Sequence, residues 1–182
     1  MDAVDQELID RLMAPSTRTS AFSVVVRTYQ ERLYWHIRKM VLSHEDANDV
    51  LQNTFMKAWS GIDGFRGDAR FSSWLYRIAT NETLTFLTNK RMRNIASMED
   101  EEQLLLNQLH ADSFFNGDEA QMKLQEAILG LPEKQRLVFN MKYFDDLTYD
   151  QMEEILQTSV GALKASYHHA VKKIGKFLEQ EI

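Results

Sequence analysis

Apolar side chains recur every three or four residues along most of this chain, and this periodicity constrains its fold more than any other feature. Such spacing places them on one face of an α-helix, whereas a half-buried strand would alternate apolar and polar residues. The pattern is strong from about Ser20 to Leu42, from Glu45 to Ser60, from Phe71 to about Lys90, and again from Gln121 to the end. Only seven glycines and two prolines interrupt the 182 residues, which favours long helices over many short strands. We therefore predict an all-α fold.

The segment NIASMEDEEQLLLNQLHADSFFNGDEA, residues 94–120, breaks this periodicity and carries a distinct charge. It contains no lysine or arginine, and its acidic residues are Glu99, Asp100, Glu101, Glu102, Asp112, Asp118 and Glu119. The formal net charge of the whole chain is −6, so this segment largely accounts for the acidic balance. We predict two helical domains, residues 1–93 and 121–182, joined by an acidic linker over residues 94–120.

Composition excludes several classes of protein. The absence of cysteine excludes disulfides, cysteine-ligated zinc and thiol catalysis, and it fits a reducing compartment. No apolar run approaches the roughly 20 residues that cross a bilayer, and the acidic start MDAVDQELID lacks the features of a signal peptide. We therefore expect a cytoplasmic protein. Because there is no phosphate loop, metal cluster or nucleophile signature, we expect neither enzymatic activity nor a metal or cofactor.

The second predicted domain contains the pattern of a helix-turn-helix, in LTYDQMEEILQTSVGALKASYHHAVKKI. A short apolar-faced helix is followed by a tight turn at residues 157–159 and by a longer helix. The apolar positions of the longer helix are Val160, Leu163, Tyr167, Val171 and Ile174. Its opposite face is basic and suits the major groove of DNA; it comprises Lys164, Ala165, His168, His169, Lys172 and Lys173. The alternative is an ordinary amphipathic helix whose lysines are simply solvated.

Rings and cations are interleaved in FRGDARFSSWLYRIATNETLTFLTNKRMR, residues 65–93. The spacing of Phe71, Trp74, Leu75 and Ile78 by three and four residues predicts that these side chains face the core. The cations would then lie on another face of the same helix, where they could follow the backbone of a nucleic acid.

Two segments resemble conserved regions of bacterial sigma factors. DANDVLQNTFMKAW, residues 46–59, followed by FRGDARFSSWLYRIATNE, is similar to their region 2, most closely in the extracytoplasmic-function group. LGLPEKQRLVFNMKYFDDLTYDQMEEILQTSVGALKASYHHAVKKI resembles their region 4. The resemblance implies a promoter-recognising subunit of RNA polymerase, built from a region 2 helical bundle and a region 4 helix-turn-helix.

The resemblance implies which surfaces meet the polymerase core. The second helix of region 2 docks on the clamp helices of the largest catalytic subunit, and region 4 meets the flap of the second-largest subunit. The corresponding positions on the region 2 helix are Asp46, Asp49, Gln52, Asn53 and Met56. These lie opposite the apolar positions of the helix, and a polar, acidic stripe with a methionine suits a basic helical partner. Without the resemblance, a merely solvated face would be the simpler interpretation.

The resemblance also implies contacts with unpaired promoter DNA. Family members draw a non-template base of the −10 element into a pocket that corresponds to residues 65–81. Such a pocket needs an apolar wall, groups that bond to the edge of the base, and cations for the phosphates. Phe65, the loop at Gly67 and Asn81 would supply the wall and the edge contacts. The cations would be Arg66, Arg70, Arg77, Lys90, Arg91 and Arg93.

Region 4 of the family reads the −35 element with the second helix of the helix-turn-helix. By correspondence, the residues that face the bases would be Lys164, Ala165, His168 and His169, and those that contact phosphates would be Lys142 and Lys172. Family members often carry arginines on this helix, and arginine can hold guanine through two parallel hydrogen bonds whereas lysine acts as a point charge. The −35 sequence is therefore not transferable to this chain.

The resemblance also implies an inhibitory partner and a role for the linker. Family members are usually held inactive by an anti-sigma factor that clamps both domains, so we expect such a partner. The family's linker runs through the polymerase active-site cleft, where an acidic segment would mimic nucleic acid; a solubilising spacer is the alternative.

The principal rival function is a helix-turn-helix regulator that binds duplex DNA without polymerase, with residues 1–93 as an effector or dimerisation domain. A helical adaptor or enzyme without a nucleic-acid role is a third class.

Overall fold

The computed structural model describes residues 3–97, 106–107, 109 and 119–180. Its first half contains helices α1 (Ala3–Met13), α2 (Arg18–Val41), α3 (His44–Gly61) and α4 (Phe71–Ser97), with a 3-10 turn at Ile62–Gly64. Its second half contains α5 (Glu119–Leu129), α6 (Glu133–Tyr143), α7 (Tyr149–Leu156) and α8 (Val160–Gln180). The described residues form no strand, so the all-α prediction is confirmed. None of these helices is both long and apolar enough to cross a membrane.

Most of the predicted acidic linker lies outside the described residues. Helix α4 continues past residue 93 to Ser97, and α5 begins at Glu119, where a carboxylate suits the helix dipole. Leu109 is described and fully buried, packed against Leu42 at the end of α2 and against Met122 and Leu129 of α5. The linker therefore has an apolar anchor between the two halves, and the domain boundaries predicted from the sequence stay a prediction.

Helices α2, α3 and α4 pack against one another, and α1 lies against α2 and the 3-10 turn. The apolar faces predicted from the periodicity are inside; the buried residues include Val25, Leu33, Ile37, Val50, Ala58, Phe71 and Leu75. Ser43 begins α3, because its Oγ accepts a hydrogen bond from the backbone N–H of Asp46 at 3.3 Å. Leu42 ends α2 in the left-handed conformation, with φ at 63°, and its side chain packs with Leu109.

Helices α5, α6 and α8 enclose a second apolar cluster. Thr148 begins α7 in a capping box: its Oγ accepts the N–H of Gln151 at 3.2 Å, and Oε1 of Gln151 accepts the N–H of Thr148 at 2.8 Å. Gln157, with φ at 52°, turns the chain from α7 towards α8, and the Oγ of Ser159 accepts the N–H of Ala162 at 3.4 Å. The predicted helix-turn-helix is thus present.

The two halves of the chain pack against each other. Helix α4 lies against α7, and α2 lies against α6. Buried residues of α6 and α7 join the apolar cluster formed by α2, α3 and α4; they include Leu137, Val138, Met141, Met152 and Ile155. The periodicity of a helix predicts that one face is buried but not which partner covers it, so this shared core is visible only in the structure.

Removal of the hydroxyl of Thr148 would leave backbone donors of α7 without their cap. We expect Thr148→Ala to lower the free energy of unfolding by about 1 kcal/mol, measured by denaturant titration followed by circular dichroism. Thr88→Ala is the control, since Thr88 is an exposed interior position of α4 whose hydroxyl donates to the carbonyl of Leu84, and alanine has the higher helix propensity. Equal losses in the two variants would contradict the capping assignment.

Candidate polymerase and nucleic-acid interfaces

Helix α3 presents a polar surface to solvent, here called the α3 face (Asp49, Gln52, Asn53 and Met56). The first three side chains are exposed, and Met56 exposes 59% of its surface. The opposite side of the helix is buried in the core of the first half. The structure therefore places four of the five predicted core-polymerase residues on one exposed surface.

Asp46, the fifth of these residues, lies apart from the open surface. It is half-buried, and its Oδ2 accepts a hydrogen bond from Nζ of Lys90 at 2.8 Å. Lys90 is itself a predicted phosphate contact, so the pair joins one residue from each predicted interface. Each charge neutralises the other, and the contact ties α4 to the first turn of α3.

Trp59 extends the α3 face by one helical turn. It is 40% exposed, and its ring packs edge-on against Phe22 with the centroids 5.1 Å apart. Helical periodicity places Trp59 with the apolar side of α3, so the sequence analysis did not include it among the candidate contact residues. A large ring left partly open beside the exposed methionine Met56 is the kind of group that proteins use at interfaces.

The loop before α4 buries the ring that the sequence assigned to a base contact. Phe65 is only 8% exposed, and its ring centroid lies 5.4 Å from that of Phe71 and 5.3 Å from that of Trp74. In this conformation the ring packs against Phe71 and Trp74, and its assignment as an apolar wall for a base stays a prediction. Gly67 has φ at 76°, a left-handed conformation that glycine adopts without strain.

The predicted cations of the loop and α4 fall into two groups. Arg66 and Arg93 are exposed, as is the amide of Asn81. Three arginines contact the second half of the chain, namely Arg70, which is also exposed, Arg77 and Arg91, and Lys90 is paired with Asp46.

The contacts of this second group are specific. Nη1 of Arg70 lies 3.7 Å from Oε1 of Glu154, and Nη2 of Arg77 donates to the backbone carbonyl of Glu154. Nη2 of Arg91 donates to Oε2 of Glu133 at 3.0 Å. A cleft of about 450 Å³ lies beside these contacts, lined by Gly64, Phe65, Arg66, Asp68, Ala69, Trp74, Arg77, Glu154 and Gln157. One wall of this cleft therefore belongs to α7 and its turn.

Helix α8 carries the predicted basic face, and the five residues of it that were predicted to contact the −35 element are here called the α8 face (Lys164, Ala165, His168, His169 and Lys172). All five residues are exposed, and Leu163, Ala170 and Ile174 are buried on the other side. Val171 was predicted to be buried but is 45% exposed, because the buried side of α8 runs through Leu163, Ala170 and Ile174 and Val171 lies at its edge.

Lys142 lies apart from the α8 face. It is half-buried, and its Nζ donates to the carbonyl of Leu147 at 3.2 Å. Its Nζ also lies 5.7 Å from the ring centroid of Tyr149, and Nζ of Lys164 lies at the same distance from that ring. Tyr149 therefore brings the two lysines together at the start of α7, although the ammonium of Lys142 is already engaged.

Comparison with known proteins identifies the family. Residues 25–93 match sigma-70 region 2, and residues 121–174 match sigma-70 region 4. The chain belongs to the sigma-70 family. The two regions fall where the sequence resemblance places them, so that prediction is confirmed.

Individual relatives place this sigma factor in the extracytoplasmic-function group. It is 32% identical to the ECF RNA polymerase sigma factor SigW of Bacillus subtilis, over 87% of this chain and 89% of the relative. It is 30% identical to the RNA polymerase sigma-H factor of Pseudomonas aeruginosa, over 96% of this chain and 94% of the relative.

Two solved structures share the fold. CnrH, in complex with the cytosolic domain of CnrY, superposes with a TM-score of 0.70 at 21% identity, covering 98% of this chain and 99% of that chain. The sigma factor RpoE, in complex with the anti-sigma factor NepR from Bartonella quintana, superposes with a TM-score of 0.67 at 19% identity, covering 87% of this chain and 96% of that chain.

Regions 2 and 4 of this sigma factor meet at a buried ionic cluster. Nδ1 of His36 lies 2.7 Å from Oδ2 of Asp145, and Nζ of Lys39 lies 2.9 Å from Oδ1 of the same carboxylate. Nε2 of His36 lies 3.0 Å from the hydroxyl of Thr80. The carboxylate is 4% exposed, so it depends on these partners rather than on water. No sequence signal predicts the cluster, because His36 lies on the buried side of α2 and Asp145 in a distant turn.

The environment of Asp145 acts on its pKa in opposite directions. Burial alone favours the neutral acid, but the attraction and hydrogen bonds from His36 and Lys39 outweigh it, so the pKa of Asp145 is lowered. Burial, together with the charge of Asp145, raises the pKa of Tyr76. The pKa of Asp145 is lower in the folded chain than in the unfolded chain. Its ionised carboxylate therefore adds to the free energy of unfolding above about pH 4, and this contribution is lost as the pH falls through the folded pKa.

Removal of this carboxylate should destabilise the chain in a pH-dependent way. We expect Asp145→Asn to lower the free energy of unfolding by about 3 kcal/mol at pH 7, since Lys39 loses its partner. The difference from the wild type should shrink below about pH 4, as measured by denaturant titration at a series of pH values. Asp150→Asn, at an exposed position of α7, is the control. A loss that stays constant down to pH 2 would contradict the assignment.

Proposed function

We propose that this extracytoplasmic-function sigma factor directs core RNA polymerase to promoters through three separate surfaces. The α3 face docks on the clamp helices of the largest core subunit, the cations of the loop and α4 hold the unpaired −10 element, and the α8 face reads the −35 duplex. Residues 1–93 form the region 2 domain, residues 94–120 the linker and residues 121–182 the region 4 domain. The observation that carries the proposal is the segregation of charge: acid and amide groups on α3, cations on α4 and α8.

Docking on the core is supported by the chemistry of the α3 face. A partner helix rich in arginine and lysine would find a carboxylate at Asp49, amides at Gln52 and Asn53, and the adaptable thioether of Met56. Asp46 contributes through its pair with Lys90, which fixes α3 relative to α4.

Recognition of the −10 element begins at the exposed groups. Arg66 and Arg93 contact phosphates, Asn81 bonds to a base edge, and Phe65, which lines the cleft beside Arg66, forms its apolar wall. Arg70, Arg77 and Arg91 add further phosphate contacts once they leave Glu154 and Glu133. Stacking of a base on a ring would require a ring other than Phe65 or a movement of the loop.

Recognition of the −35 element rests on the N-terminal part of α8, as in other helix-turn-helix proteins. Lys164, Ala165, His168 and His169 face the bases. Lys172 contacts a phosphate, and Lys142 does so after release from the carbonyl of Leu147.

The proposed protein partners are core polymerase and an anti-sigma factor. Region 4 meets the flap of the second-largest core subunit. CnrH is bound to the cytosolic domain of CnrY, and RpoE to the anti-sigma factor NepR; we propose that this chain is likewise held by an anti-sigma factor. It works in the cytoplasm as a binding subunit, without enzymatic activity of its own.

A helix-turn-helix regulator that acts without polymerase is the rival function, and the two are separated by one experiment. Purified chain is added to core RNA polymerase, and the transcripts made from genomic DNA are mapped. We expect initiation at a defined set of promoters that core enzyme alone does not use. Duplex binding without association to the core would favour the rival.

Charge reversal at the centre of the α3 face should weaken core binding. We expect Asp49→Arg to reduce affinity for core polymerase at least tenfold, because a cation would face a basic partner, measured by fluorescence anisotropy of labelled chain. Glu7→Arg, an exposed charge reversal on α1, should bind as the wild type does. Full affinity in a folded Asp49→Arg chain would remove the α3 face from the docking site.

Loss of a base-facing lysine should weaken promoter recognition alone. We expect Lys164→Ala to reduce transcription from the mapped promoters about fivefold while core affinity stays the same. Lys176→Ala, an exposed position near the C-terminal end of α8, is the control, since only the start of a recognition helix enters the groove. Unchanged run-off transcription by Lys164→Ala would exclude Lys164 from the contact surface.

A further inference from the structure

A cavity of about 690 Å³ lies between α2, the start of α4 and the turn that joins α6 to α7. Of the described residues that line it, none belongs to the α3 face, the α8 face or the cations predicted for the −10 strand. We propose that this cavity binds a mononucleotide, with the phosphate at the first turn of α4 and the base against aromatic side chains of α2. The site is additional to the proposed function and uses different residues.

The size and walls of the cavity suit a compact organic molecule. Ligand pockets commonly have volumes of about 300–1,000 Å³, and this cavity falls within that range. Region 2 supplies one side through α2 and α4, and region 4 supplies the other through Leu147 and Ile155. A ligand bound here would therefore contact both regions.

The first turn of α4 supplies hydrogen-bond donors at one end of the cavity. Ser72 and Ser73 both line it, and the N–H groups in the first turn of a helix have no acceptor within the helix. Arg70, the residue before α4, has no side-chain oxygen that could cap them. Because the positive end of the helix dipole lies at the same place, a phosphate is stabilised there.

The hydroxyl of Ser73 is independent evidence for a ligand. Ser73 is 2% exposed, and its Oγ is buried without a hydrogen-bond partner. Two other buried hydroxyls of α4 are satisfied: Thr83 donates to the carbonyl of Ala79 at 2.8 Å, and Oγ1 of Thr80 lies 3.0 Å from Nε2 of His36. An unpaired buried hydroxyl costs free energy that an acceptor in the cavity would recover, and rotation of the serine hydroxyl lets it turn to that acceptor.

The charged groups of the cavity favour an anion at its inner end. Arg32 is exposed on α2, and among the residues that the structure describes none forms an ion pair or hydrogen bond with it. Asp145 is already neutralised by the buried ionic cluster. The other two carboxylates, Glu31 and Asp146, are exposed, where water and salt weaken their repulsion of an anion. The phosphate can therefore meet Ser73 and Arg32 together.

Aromatic side chains supply the surface for a base. Tyr29 and Trp35 both line the cavity from α2, and both are half-buried. Bases of any identity stack on such rings, since every base has a π-face. Donors for a phosphate beside rings for a planar group are the combination that a mononucleotide requires.

The test titrates the full chain with the four ribonucleoside monophosphates by isothermal titration calorimetry. We expect at least one of them to bind with a Kd below about 1 mM. The same nucleotide should raise the midpoint of thermal unfolding, because a ligand that binds only the folded chain stabilises it. The corresponding nucleoside and inorganic phosphate should each bind about tenfold more weakly, since one lacks the anion and the other lacks the ring.

Two variants locate the binding site. Ser73→Ala should weaken nucleotide binding about tenfold without lowering the thermal midpoint of the free chain, since no satisfied hydrogen bond is lost. Arg32→Gln should weaken binding by about the same factor, through loss of a charge-assisted contact. Ser23→Ala and Arg27→Gln, at exposed positions of α2 outside the cavity, are the matched controls and should bind as the wild type does. In a nuclear magnetic resonance titration, the nucleotide should shift the backbone amide signals of Ser72 and Ser73.

Several results would overturn the assignment. These are no binding by any of the four nucleotides, equal affinity in wild type, Ser73→Ala and Arg32→Gln, and amide shifts confined to the exposed lysines of α8. Inorganic phosphate that binds as tightly as the nucleotide would exclude the contact with the rings. A short DNA single strand that shifts the signals of Ser73 where no mononucleotide does would assign the cavity to nucleic acid instead. None of these results bears on core or promoter binding, whose tests use other residues.

Discussion

The carboxylate of Asp145 is the contact on which the arrangement of the two regions depends. A charge that is 4% exposed is stable only with partners, and both of its charged partners, His36 and Lys39, come from α2 of region 2. The turn that carries it connects α6 to α7, so fixing this one side chain also fixes the start of the helix-turn-helix. The apolar residues of α6 and α7 then complete a core that neither region would bury alone.

Helix α4 shows how one element serves packing and binding together. With 3.6 residues per turn, Phe71 and Leu75 point into the core while Arg70, Arg77 and Arg91 point elsewhere. This is why a stretch rich in rings can also carry a row of cations. Those cations contact Glu154 and Glu133 of region 4, through two carboxylates and one backbone carbonyl, so part of the surface that suits a polyanion is occupied by the chain itself.

The packing of the two regions leaves the proposed binding surfaces exposed to different degrees. The faces proposed for polymerase docking on α3 and for duplex reading on α8 point to solvent, whereas three of the cations proposed for strand binding, Arg70, Arg77 and Arg91, contact region 4. The anchoring of Leu109 between Leu42 and α5 adds an apolar contact that must also be given up if the regions separate.

The sequence by itself determined the helices, their caps and their buried faces, because these depend on neighbours within a few residues. Ser43, Thr148 and Ser159 have side chains typical of helix starts and lie at the starts of their helices, and motif resemblance identified both sigma regions. Only the tertiary structure decided that Phe65 is buried, that Asp46 pairs with Lys90 and that three arginines face region 4. His36 and Asp145 lie 109 residues apart. Periodicity carries no information about which distant side chain completes such a contact, since that choice is made by the packing of whole helices against one another.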